Sequence, residues 1–136
     1  MSHRTIIFLT LFLALIVASL HLGALEYYWY WTYWWFDILL HFLSGVLIGF
    51  LFLSLFESHI HKEIFEKHMF LLIILFVFMV GFGWEVFEVI IQPDIVVESD
   101  YVLDTFSDIL VDFSGGLFAY ISLSRLLVCN KKDTNV

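Results

Sequence analysis

Basic residues are scarce in this chain of 136 residues: Lys and Arg number 6 against 14 Asp and Glu, for a formal charge of −8. No cationic stripe is available to neutralise a phosphate backbone, so nucleic acid is excluded as a partner. Cysteine occurs once, at Cys129, which rules out an internal disulfide and a cysteine-based metal knuckle. Proline also occurs once, at Pro93, so little interrupts helical backbone before or after that point. There is no internal repeat and no low-complexity linker.

Apolar side chains fill what remains. They make up 62% of the sequence, and the mean hydropathy is +0.95. A soluble domain is apolar over roughly 45–50% of its residues, so the solvent of this chain is the bilayer. Crossing ~30 Å of hydrocarbon takes about 20 apolar residues in a helix. Four stretches qualify: Thr5–Leu25, Trp34–Phe56, His68–Gln92 and Leu103–Val128. The first is too long for the apolar core of a signal peptide and lacks a small-x-small cleavage site, so it reads as a retained span. The expected fold class is all-α, a four-transmembrane-helix bundle forming a single integral membrane domain over residues 1–136. No length is left for a separate soluble module.

Direction follows from the few bases, because cytoplasmic loops retain Lys and Arg. Arg4 precedes the first span, Lys62 and Lys67 lie in the second connection, and Arg125, Lys131 and Lys132 end the chain. The first and third connections carry none. The expectation is a multi-pass protein of the cell membrane with both termini cytoplasmic. The aromatic run from Tyr27 to Trp35 marks the outer boundary as an interfacial belt, with a sugar- or lipid-stacking platform as the alternative. Pro93 ends the third helix, and Asp94 to Tyr101, with Glu98 and Asp100, form an acidic outer loop.

This topology assigns a depth to every ionisable side chain. His21 comes late on the first span, Asp37 and His41 early on the second, Glu85 and Glu88 late on the third, and Asp104, Asp108 and Asp112 early on the fourth. All eight share the outer half. Residues three or four apart share a helix face, so Asp37, His41 and Ser44 form one stripe, and Gly81, Glu85, Glu88 and Gln92 another. Asp104, Asp108, Gly115, Ala119 and Ser122 form a third, with Asp112 at its edge. Thr10, Ala14, Ala18 and His21 give the first helix a small-residue face suited to close helix packing, and Gly45 and Gly49 make a Gly-x-x-x-Gly pair.

Asp37 and Asp104 stand in first helical turns, where capping and the macrodipole alone account for a carboxylate. Asp108 and Asp112 lie ~6 and ~12 Å beyond Asp104 along the axis, out of capping range. Glu85 and Glu88 sit near a helix C-terminus, which disfavours anions. An ionised acid near the bilayer centre costs roughly 2.5–3.5 kcal/mol. Six carboxylates with no intramembrane Lys or Arg are therefore either protonated or gathered around a cation. Histidine with carboxylates suits Zn²⁺, Mn²⁺ or Fe²⁺, whereas oxygens alone favour Mg²⁺ or Ca²⁺.

Three segments carry a resemblance: Phe36-Asp37-Ile38-Leu39-Leu40-His41-Phe42, Gly83-Trp84-Glu85-Val86-Phe87-Glu88, and Asp104 through Asp108 and Asp112 to Gly115-Gly116. Their order resembles the VanZ-like and YjdF-like small integral membrane proteins, in which Asp-x-x-x-His opens one helix, Glu-x-x-Glu or Glu-x-x-Gln ends the next, and an Asp-x-x-x-Asp or Asp-x-x-x-Asn before glycine opens the last. This chain has Asp112 where VanZ-like members tend to have Asn. The resemblance implies an architecture rather than an activity.

The leading expectation is a divalent-metal site acting on a lipid-linked or amphiphilic substrate at the outer leaflet. Asp37, His41, Glu85, Asp104 and Asp108 are the expected ligands, with Asp112 and His21 as further candidates and Glu88 as the catalytic base. Two alternatives stand beside it: a dimeric proton- or ion-coupled transporter, and a non-catalytic subunit whose polar centre holds helices together. The expected partners are membrane lipids, with a second copy of the chain or another membrane protein as a candidate helix-packing partner.

Overall fold

The computed structural model describes residues 3–56, 62–97 and 100–133, with side chains at 4–56, 67–97 and 100–122. Glu98 of the acidic loop, and the side chains of Lys62, Arg125, Cys129, Lys131 and Lys132, lie outside this description. All regular structure among the described residues is helical. Four long helices, α1 (His3–Glu26), α3 (Phe36–Phe56), α4 (Lys62–Ile91) and α5 (Tyr101–Asp133), alternate with the single turn α2 (Trp29–Thr32) and a 3-10 turn at Pro93–Val97.

Three of these are long and apolar enough to cross a membrane: Arg4–Glu26, Phe36–Phe56 and Lys67–Ile91. Helix α5 is as long but carries Asp104, Asp108 and Asp112 near its start, which lowers its apolarity. Helix α4 stops at Ile91 ahead of Pro93, whose ring cannot continue the ladder. The acidic connection is not wholly irregular, because Pro93–Val97 closes into the 3-10 turn, with Ile95 donating its N–H to the Gln92 carbonyl at 3.0 Å.

Helix α3 is central, packing against α5, α1 and α4, while α5 also packs on α4. Glycines bring α3 and α5 together. A Cβ at Gly45 would collide with the Asp112 carbonyl oxygen, and one at Gly115 with the Phe42 carbonyl oxygen, so the two backbones touch at this crossing. Further inward Gly49 faces Ala119, and Gly116 faces Val77 of α4. The Gly-x-x-x-Gly pair is thus spent on packing within the chain. Beyond the crossing the interior is apolar, built from residues that include Phe52, Leu53, Met69, Ile73, Val77 and Ala119.

Helix α1 packs on α3 and turns its small-residue face toward a cavity, as that stripe predicts. It docks on α3 and α2 but makes no backbone approach to α4 or α5. Thr10 is buried with its hydroxyl bonded to the Ile6 carbonyl at 2.9 Å, and Ala14, Ala18 and His21 border open space. Trp29 and Tyr30 close the connection between α1 and α3. Tyr28 adopts the left-handed conformation (φ 57°, ψ 35°) and turns the chain back. The Trp29 ring then lies over Gly23 and meets Phe36 edge-on at 5.4 Å, wedged beside Ala24 between α1 and α3. The aromatic run accordingly divides. Tyr27, Tyr28, Trp31 and Trp34 face outward, as a belt does, while Trp29 and Tyr30 fold inward.

Candidate metal centre

One turn before the Gly45–Gly115 crossing, the chain places His41 of α3 against the carboxylates of α5. No Lys or Arg occurs between residues 5 and 61 or between 68 and 124, so His41 is the basic group available to them. The His41 Nε2 lies 3.8 Å from Asp37 Oδ1 and 3.9 Å from Asp108 Oδ2, and its Nδ1 lies 3.4 Å from Asp112 Oδ1. All three distances exceed the ordinary hydrogen-bond range of about 2.7–3.2 Å. Ligand atoms of Asp37, His41 and Asp108 lie within 4.8 Å of one another, a spacing at which one cation can be shared.

Burial makes the arrangement consequential. Asp108 and Glu85 are 5% exposed, Asp112 4% and His41 8%. Asp112 Oδ1 and Glu85 Oε1 are fully enclosed and accept no hydrogen bond among the described groups. An unsatisfied buried acceptor ordinarily costs 1–3 kcal/mol, more when charged, so each orphaned oxygen marks room for a donor or a cation. Histidine and carboxylates are donors fit for Zn²⁺, Mn²⁺ or Fe²⁺. The donor set and the mutual spacing of Asp37, His41 and Asp108 fit a divalent ion, and the orphaned oxygens of Asp112 and Glu85 border the same cluster.

The remaining sequence candidates fall around this trio. Glu85 is buried beside it, with the Thr105 hydroxyl facing its carboxylate. Asp104 is exposed in the first turn of α5 and lies outside the group of three. Glu88 is half-buried, and its Oε1 accepts the Trp84 indole N–H at 3.0 Å. His21 stands apart from the trio. Its Nδ1 is 2.6 Å from the Tyr30 hydroxyl, and its ring meets Trp84 edge-on at 5.8 Å. Sequence reading passed over Tyr30 because a belt tyrosine and a site tyrosine look alike. The only available signal was its position opposite the late, outer end of α1.

Burial pushes the Tyr30 hydroxyl up to about 12, and the Asp37 and Glu88 carboxylates push in the same direction. Tyr30 is therefore a neutral donor at ordinary pH. With His21, Asp37, His41, Glu88 and Asp112 it borders a cavity of about 360 Å³ between α1, α3 and α4.

No curated protein and no solved structure gives a significant match to the chain. A family model described as "Predicted membrane protein (DUF2238)" matches residues 2–128, nearly the whole chain, with all the residues of the site inside that range. On that match, the chain is a member of this family of membrane proteins.

Proposed function

We propose that the chain is a multi-pass membrane protein with four spans and both termini cytoplasmic, and that Asp37, His41 and Asp108 hold a divalent metal ion near its outer face. The observation that carries this reading is the convergence of ligand atoms of Asp37, His41 and Asp108 to within 4.8 Å of one another around a buried histidine with a carboxylate at each ring nitrogen. In this reading His41 ligates through Nε2, and Asp112 orients the ring by accepting from Nδ1–H. That division follows the carboxylate–histidine–metal pattern in which an outer carboxylate fixes the tautomer and raises ligand basicity. The order of motifs shared with VanZ-like and YjdF-like proteins supports the same arrangement of helices.

The reading extends to chemistry on a lipid-linked or amphiphilic molecule. When bound, a divalent ion supplies Lewis-acid polarisation of a phosphoryl or acyl oxygen and lowers the pKa of a water. Glu88 borders the cavity with one oxygen held by Trp84, and in this reading it would serve as the general base. Tyr30 donates a hydrogen bond to the substrate's polar end. Transport fits less well, because the half of the bundle beyond the glycine crossing is a continuous apolar core.

Elemental analysis of detergent-purified protein tests the metal. The expected result is one divalent ion per chain, removed by chelation and absent from Asp108→Asn. Wild-type protein purified without chelator and lacking stoichiometric metal would overturn the reading.

A further inference from the structure

The cavity beside the site has two unlike ends. Asp37, His41, Glu88 and Tyr30 border it where the helices meet α2, whereas Ala14, Leu47, Ile48 and Val80 border it deeper in the bundle. From Asp37 to Ile48 the α3 axis advances about 16 Å at ~1.5 Å per residue, so the space runs along the helices rather than across them. Among the described residues α1 and α4 make no backbone approach to each other and meet through the His21 and Trp84 rings at 5.8 Å, while Ala18 and Val80 beside the gap below that contact are exposed. With α1 and α4 as membrane spans, that gap faces the hydrocarbon of the bilayer. The small side chains of α1 widen the space instead of closing it, and Gly81 on α4 adds to it.

We infer that this cavity takes one hydrocarbon chain of an outer-leaflet lipid, admitted sideways between α1 and α4, with the lipid's polar head against Asp37 and His41 of the candidate metal site. Polar groups at one end and apolar walls at the other match the head and tail of an amphiphile, and its long axis matches the run of chains in a leaflet. A volume of about 360 Å³ lies within the ~300–1,000 Å³ of ligand pockets and holds a length of single chain rather than a whole lipid. Tyr30 and His21, joined at 2.6 Å, stand at the polar end, where a phosphoryl or hydroxyl oxygen of the head can accept from the Tyr30 hydroxyl or the His21 ring. This inference rests on the amphiphile reading of the same site and names where the chain goes.

Photo-crosslinking in nanodiscs tests it, with two probes bearing a diazirine on the chain: a glycerophospholipid and a polyprenyl phosphate. Adducts are expected on α3 at Ser44, Leu47 and Ile48, which border the cavity, and the probe that gives them identifies the class of lipid. Ala14→Phe and Ala18→Phe fill the space. Each should remove the α3 adducts and leave those on Phe12 and Leu15, which face outward. Ala18 is exposed, so its variant spares the packed interior. The inference is overturned if α3 stays unlabelled by both probes, or if its labelling survives both variants. Chelated wild type separates the two readings: α3 labelling in protein that never binds metal leaves the chain site standing without the metal reading, and metal-loaded protein with unlabelled α3 does the reverse.

Discussion

The carboxylate of Asp112 occupies the space that a methyl group on Gly81 would need: a Cβ at Gly81 would lie 2.5 Å from Asp112 Oδ2. A glycine on α4 thus fixes where an acid on α5 can point, and through Asp112 it bears on the His41 ring. Because the obstructing atom ends a side chain, Gly81→Ala is relieved by rotating the carboxylate rather than by parting helices. Overpacking of this kind costs about 1–3 kcal/mol. The expected outcome is a folded protein with weakened metal binding, read by titration against a competing chelator beside a thermal melt. Unchanged affinity would detach Asp112 from the site.

Asp108 and Asp112 look equivalent in sequence and are assigned different work. Asp108 faces Nε2 together with Asp37, and Asp112 faces Nδ1 alone. Asp108→Asn should abolish stoichiometric metal. Asp112→Asn, which keeps an acceptor for Nδ1–H, should lower affinity by about 10–100-fold, the usual effect of altering an outer-shell partner. Equal losses in the two variants, measured by the same competition titration, would make Asp112 a ligand.

The glycine crossing behaves differently from Gly81. At Gly45 and Gly115 the obstructing atoms are backbone carbonyl oxygens, of Asp112 and Phe42, which no rotamer change can move. Gly45→Ala and Gly115→Ala must therefore separate α3 from α5, at a cost of about 3 kcal/mol or more. Both should lower the melting temperature in detergent well below that of Gly83→Ala, since a Cβ at Gly83 meets nothing within 4 Å.

The gathering of Asp37, His41 and Asp108 was legible because acids are rare in so apolar a chain and residues four apart share a helix face. The pairing of Asp37 with His41 needed only a spacing of four, and the Gly45–Gly49 repeat announced close packing. The stripe on α4 also held in part, since Gly81 and Glu85 are both buried. The small-residue face of α1 lines the shared cavity and α1 packs on α3, as its stripe implies, but small residues permit close approach without naming the helix approached. The inward fold of Trp29 and Tyr30 was not legible. That fold depends on Tyr28 taking a positive φ, which a tyrosine rarely does and which no local pattern announces. The pairing of His21 with Tyr30 follows from the same turn, so it was equally hidden.

Tyr30 offers a titration that reports on this turn. Burial, then Asp37 and Glu88, raise its hydroxyl from the ordinary 10.0 to about 12 in the folded chain. The folded state therefore holds the phenolic proton more tightly than the unfolded state does. The resulting stabilisation is complete below pH 10 and disappears as pH rises from there to about 12. Phenolate absorbance of the detergent-solubilised protein should show one tyrosine ionising late, and Tyr30→Phe should remove that late step. The variant should also flatten the fall in stability over the same interval. An unchanged late step in Tyr30→Phe would place the perturbed tyrosine elsewhere and leave the His21–Tyr30 pair without support in solution.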